Sequence, residues 1–173
     1  MLTLAVLLFF PVAMMMSTFN DILSMKIPNY VPLALLVGFI VLAPIGGMGW
    51  ATLGSHLGIS LIVFIVGYLL FAMNRLGAGD VKLAFLTTLW LGPSASAFYF
   101  AYAGLIGGLA ALVLLQFRSS VYVPEACYRI PFLKRLYTEN VGIPYAVALG
   151  PAGLLAFSES PWFKLIAFGS PIG

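Results

Sequence analysis

Charge is scarce in this 173-residue chain: Asp, Glu, Lys and Arg together make up 8% of it, against 62% hydrophobic residues. A soluble domain carries about 25% charged residues, so a fully water-exposed globule is excluded. There is one cysteine, Cys127, which rules out an internal disulfide and any cysteine-based metal site. There is also one histidine, His56. The basic residues form no run of the kind that grips nucleic acid, and no nucleic-acid partner is expected. Residues 1–20 contain no charge at all. The positive start of a signal peptide is therefore missing, and this stretch reads as a retained first helix. Internal repeats and low-complexity segments are absent too.

What the chain has in abundance is long apolar runs, the mark of spanning helices. They cover residues 2–19, 29–47, 52–73, 81–91, 95–115 and 141–157, and a short tail at 162–168 suits the membrane interface. Pro28 stands just ahead of the second run, where a missing N–H does no harm. The expected fold is all-α: a single membrane-embedded domain over 1–173 with six transmembrane helices and one long polar connection at about 116–140. Under this count, connections 1–2, 3–4 and 5–6 hold Lys26, Arg75, Lys82, Arg118, Arg129, Lys134 and Arg135. Connections 2–3 and 4–5 hold no basic residue. The positive-inside rule then puts the odd-numbered connections in the cytoplasm and both termini outside it.

Chemistry has few places to reside. The acidic residues are Asp21, Asp80, Glu125, Glu139 and Glu159. Asp21 closes the first run and Asp80 opens the fourth, both toward the cytoplasmic side. Counting twenty residues back from Pro93, enough to span about 30 Å, leaves Asp80 roughly 9 Å inside the boundary. A carboxylate at that depth faces a bundle interior or a wet cavity and is functional by default. Gly77 and Gly79 remove bulk beside it, so the backbone can turn, pack closely or admit an extended peptide. Two carboxyls near one water share a proton over an intermediate pH range, one serving as base and the other as acid. No other catalytic set is available, since His56 lies toward the opposite end of the third helix and Cys127 has no histidine on its side.

The segment Asn20-Asp21-Ile22-Leu23-Ser24-Met25-Lys26-Ile27-Pro28-Asn29 resembles the first aspartate motif of type IV prepilin peptidases. Gly77-Ala78-Gly79-Asp80-Val81-Lys82-Leu83 resembles that family's GxGD motif with its Val-Lys-Leu extension. Ile143-Pro144-Tyr145-Ala146-Val147-Ala148 is similar to a Pro-Tyr/Phe segment of the family's last helix. The resemblance implies an aspartic endopeptidase of the bacterial inner membrane, multi-pass, without metal or organic cofactor, whose catalytic pair is Asp21 and Asp80. It implies supporting roles for Gly77, Gly79, Lys82, Pro28 and Asn29, and a substrate-site role for Pro144 and Tyr145. The implied partner is a prepilin with a short basic leader ending in Gly ahead of a hydrophobic helix, cut at the cytoplasmic face. Small size and the Pro-Tyr-Ala-Val-Ala run look most like the short form serving Flp/Tad pili. The cytoplasmic region that larger members carry is missing, and N-methylation is not expected.

Blander readings stand beside these. Asp21 would otherwise be an interfacial cap paired with Lys26, and Asp80 a turn residue capping the fourth helix. Lys82 reads as a snorkelling anchor, and Arg75 as a topology signal. Gly54 with Gly58, and Gly104 with Gly108, have the spacing that lets helices approach, which fits packing inside the bundle better than a homodimer. The mixed basic and aromatic stretch 116–140 suits the anionic leaflet. Two rival functions remain: a small proton-coupled transporter, which would need polar residues deep in several helices, and a non-catalytic pilus assembly subunit.

Overall fold

The computed structural model describes residues 2–119 and 145–168. Six helices occur among them: α1 Leu2–Ser24, α2 Tyr30–Ile45, α3 Trp50–Ala72, α4 Ala78–Ser119, α5 Ala146–Phe157 and α6 Pro161–Phe168. No strand occurs among the described residues. Most of the expected connection, including Glu125, Cys127 and Glu139, lies outside them, and so does Pro144 at the start of the sixth apolar run.

Helix α1 runs five residues beyond the end of its apolar run. The polar side chains that close it hydrogen-bond one turn back: Ser17 to the Ala13 carbonyl at 2.9 Å, Thr18 to Met14 at 3.0 Å, Asn20 to Met16 at 2.8 Å and Ser24 to Asn20 at 2.7 Å. Because these groups are satisfied by their own helix, loss of hydrophobicity does not end it. Met25 does, at φ 53°, with its N–H on the Asp21 carbonyl at 2.8 Å. A left-handed residue is a common helix stop. Asp21 therefore sits inside the last turns of α1 and not at the end of the first helix, as its place beyond the apolar run suggested.

The fourth and fifth expected helices are one element broken at one residue. Gly92 has φ 73° and ψ 179°, a region essentially reserved for glycine. Pro93 then starts the second arm, where its lack of an N–H is harmless, and Ser96 Oγ donates to the Gly92 carbonyl at 2.6 Å. The chain folds back here. The Tyr99 side chain lies beside Thr87, whereas twelve residues of continuous helix would separate them by about 18 Å. His56 fills the inside of the bend. It is fully buried, its Nδ1–H donates to the Leu89 carbonyl at 2.7 Å, and its ring stacks on Phe39 at 6.1 Å.

Between lipid-bathed helices packing replaces hydrophobic segregation, and small residues set the approach. Gly153 of α5 fits between Met14 and Thr87, Gly67 of α3 against Val81, and Gly107 against Ala148. Gly54, Gly58, Gly104 and Gly108 have open space where a Cβ would stand, so the two small-residue pairs do not pack inside the bundle as expected. At the end opposite Asp21, the ring centroids of Trp90 and Trp162 lie 5.0 Å apart, and Trp90 Nε1 donates to the Leu35 carbonyl at 2.9 Å. Trp162 is fully buried. The tail expected at the interface thus sends its tryptophan into the core. Outward faces carry large apolar side chains, including Leu57, Leu61, Ile62 and Leu69 of α3, each about half exposed or more. Three stretches, Val6–Ser24, Trp50–Ala72 and Ala78–Gln116, are long and apolar enough to cross a bilayer. The chain is a membrane protein.

Candidate active site

The start of α5 needs a partner, because the first N–H groups of a helix have none within it, and Tyr145 at the N-cap offers no side-chain bond. Helix α1 supplies that partner. Asp21, 5% exposed, accepts the Ala146 N–H on Oδ2 at 3.0 Å, and Thr18, one turn earlier, donates to the Ala146 carbonyl at 3.3 Å. One face of α1 thereby grips both backbone groups of a single residue. A negative charge at a helix N-terminus is also favourable in itself.

Asp80 is the third residue of α4 and turns back to the backbone of Gly77 just ahead of the helix, the carboxylate half of a capping box. A Cβ on Gly77 would stand 2.7 Å from Asp80 Oδ2. The glycine vacates the space that the carboxyl occupies. Gly79 does the same for a different neighbour, since its Cβ would meet the Cβ of Ile27 at 3.2 Å. The link between α1 and α2 is laid across the first turn of α4, and Lys82 Nζ donates to Asn29 Oδ1 at 3.1 Å to hold it there. Pro28 shapes that link, its carbonyl accepting the Val31 N–H at 3.2 Å. The two aspartate segments, some sixty residues apart in sequence, form one packed unit.

The two carboxyls are buried and lie within electrostatic reach of each other. They come from separate helices, and among the described residues Lys26 makes no ion pair with Asp21. The arrangement brings together Asp21, Asp80, Gly77, Gly79, Pro28, Asn29 and Lys82. Tyr145 stands next to Ala146 and is 45% exposed. His56 is remote from this group, bound to Leu89 at the bend of α4. Among the described residues no three His, Cys, Asp or Glu side chains converge as metal ligands.

Three polar residues escaped the sequence reading. Thr18 was legible only as an i, i+3 partner of Asp21. Thr87 shares the Asp80 face of α4, two turns on. Tyr99, on the second arm of α4, is fully buried beside Thr87 and within electrostatic reach of Asp80.

Comparison with known proteins adds one finding. Residues 8–112, which contain both aspartates, match the model of the type IV leader peptidase family. No curated protein and no solved structure matches the chain. With the matched stretch covering most of the chain and both buried carboxyls inside it, the protein belongs to the type IV leader peptidase family and is a protease.

Proposed function

We propose that this membrane peptidase is an aspartic endopeptidase that removes the leader of Flp/Tad-type prepilins, with Asp21 and Asp80 as its catalytic pair. The observation that carries the proposal is that two buried carboxyls, delivered by α1 and by the start of α4, come within electrostatic reach of each other. A structural acid needs only one partner, and each aspartate has one: Ala146 for Asp21 and Gly77 for Asp80. Their convergence goes beyond what capping requires.

In the proposed reaction one carboxylate takes a proton from water as the water oxygen attacks the scissile carbonyl carbon. The other carboxyl donates its proton to the carbonyl oxygen. The tetrahedral gem-diol then collapses and the C–N bond breaks. One hydroxyl returns its proton to the carboxylate that had protonated the carbonyl oxygen. The leaving amine takes the proton from the acid that formed in the first step, so both carboxyls regain their starting states. No metal or organic cofactor is required by this chemistry. Each carboxyl keeps a backbone N–H that fixes its orientation, so the pair is held in place before substrate arrives.

The proposed setting is the bacterial inner membrane with the site at its cytoplasmic face. Six spans are supported by the fold-back at Gly92, which makes two spans of the two arms of α4, together with α1, α2, α3 and α5. The basic residues Lys26, Arg75, Lys82 and Arg118 all fall at the ends nearest the aspartates, where the positive-inside rule expects cytoplasm. The substrate chemistry is a short basic leader ending in Gly, followed by a hydrophobic helix lying in the same bilayer.

The test is co-expression of a Gly-terminated prepilin with the wild type, Asp21→Asn or Asp80→Asn, followed by separation of precursor and mature pilin. Each substitution is expected to lower cleavage by about 10²- to 10⁴-fold, the usual worth of a general acid or base. Full cleavage by either variant eliminates the two-aspartate mechanism.

A further inference from the structure

The Asp21 carboxyl has one hydrogen-bond donor among the described residues, the Ala146 N–H at 3.0 Å. A carboxyl held at one point is only as well placed as that point. Whatever fixes Ala146 therefore helps to fix the acid, and the side chain that reaches Ala146 is Thr18.

Thr18 stands one turn before Asp21 on the same face of α1. Its Oγ1 lies 3.0 Å from the Met14 carbonyl oxygen and 3.3 Å from that of Ala146, so the hydroxyl proton is shared between two helices. A threonine inside a helix satisfies its hydroxyl on the carbonyl four residues back, as Thr88 does on Ala84 at 3.0 Å. The reach to Ala146 is additional. Neither carbonyl depends on it, because the helix ladder serves each through the N–H four residues on. Room for the second contact comes from Gly150, one turn after Ala146 on α5. A Cβ there would collide with Thr18 Oγ1 and stand 3.1 Å from the Met14 carbonyl oxygen. The fully buried Ala146 is thus pinned at its N–H by Asp21 and at its carbonyl by Thr18.

We propose that Thr18 is a positioning residue for Asp21, its hydroxyl fixing Ala146 against α1 and with it the donor that orients the Asp21 carboxyl. The inference rests on the aspartic-peptidase reading and names a further residue of the same site. Thr18 touches no reacting atom. It acts through Ala146, and a shift of about 1 Å in a catalytic group is enough to cost about 10²-fold in rate.

Two substitutions separate the hydroxyl from the shape of the side chain. Thr18→Val keeps the branched shape and removes the hydroxyl, whereas Thr18→Ser keeps the hydroxyl and removes the methyl. Wild type and both variants, purified in detergent, are compared by prepilin cleavage kinetics, thermal unfolding and the rate at which a hydrophobic carbodiimide labels Asp21 at fixed pH. In Thr18→Val, kcat is expected to fall about tenfold or more with KM within about twofold. Its Tm should stay close to wild type, because both carbonyls keep their helix partners. Labelling of Asp21 should quicken by about threefold or more, since a carboxyl whose donor has shifted is less shielded from the reagent. Thr18→Ser is expected to recover most of kcat and the slow labelling. A wild-type kcat and labelling rate in Thr18→Val overturns the proposal. So does a Thr18→Ser variant as impaired as Thr18→Val, or a loss of activity matched by a fall in Tm or a rise in KM, each of which marks a packing role. If the wild type cleaves no prepilin, the peptidase reading fails by itself, and the labelling rates still decide whether Thr18 acts on Asp21.

Discussion

Asp21 Oδ2 holds the backbone N–H of Ala146 at 3.0 Å, joining residues 125 positions apart. The same carboxyl that is proposed to move protons also seats the start of α5.

Those two duties are separable by substitution. Asp21→Asn keeps a carbonyl oxygen that can accept the Ala146 N–H, whereas Asp21→Ala leaves that buried donor without a partner. Loss of such a cap costs about 1 kcal/mol. Asp21→Asn is expected to melt within about a degree or two of wild type and yet be inactive. Asp21→Ala should be inactive and melt several degrees lower. Scanning fluorimetry in detergent beside the cleavage assay checks both, and equal melting of the two variants would show that the contact carries no stability.

Gly77 and Gly79 are expected to respond differently to alanine. At Gly77 the new methyl meets the Asp80 carboxyl at 2.7 Å, the mobile end of a side chain. The fold should survive while the carboxyl is displaced, lowering kcat by tenfold or more with little change in Tm. At Gly79 the methyl meets Ile27 at its Cβ, 3.2 Å away, next to the backbone of the link. Overpacking of that kind costs about 1–3 kcal/mol. Gly79→Ala should therefore lower both Tm and activity, and Gly79→Val should lower both further.

The bend of α4 should tolerate nothing but glycine at its apex. A Cβ on Gly92 would collide with the His56 ring, and φ 73° with ψ 179° is itself unsuited to side chains. Gly92→Ala is expected to destabilise by more than about 2 kcal/mol, from strain and collision together. Trimming the ring in Gly92→Ala/His56→Ala should restore only part of this, since the strain persists and the bond to the Leu89 carbonyl is lost. Full recovery in the double variant would mean that collision alone made the bend intolerant.

Lys82 and Asn29 form an exposed pair, so their 3.1 Å bond is worth less than about 1 kcal/mol. Lys82→Met is expected to change Tm by no more than a few degrees and cleavage by no more than a few-fold. Asn29→Ala should behave the same, and the double variant should be no worse than either. A hundredfold loss in either single variant would instead give Lys82 or Asn29 a direct part in catalysis.

Much of this was open to reading from composition and spacing. A chain with so few charges and so many apolar runs had to be helical and membrane-bound, because lipid leaves backbone groups no partners but each other. Asp21 and Asp80 stood out because acids at the ends of apolar runs are costly there. The motifs around them matched a known family in order and in spacing. The end of α1 was not legible: Ser17, Thr18, Asn20 and Ser24 look like a helix terminus in sequence but bond backward within the helix. Nor did glycine spacing show which glycines pack inward, since Gly104 faces open space while Gly107 meets Ala148.

Local pattern, then, established the class, the helices and the two acids, because hydropathy and the expense of charge in lipid act residue by residue. Which groups those acids would meet depended on contacts between distant segments: Ala146 against Asp21, Ile27 against Gly79, and Tyr99 carried back beside Thr87 by the turn at Gly92. No spacing encodes such meetings. They follow from how closely the helices can approach, and small side chains and a single left-handed glycine set that distance.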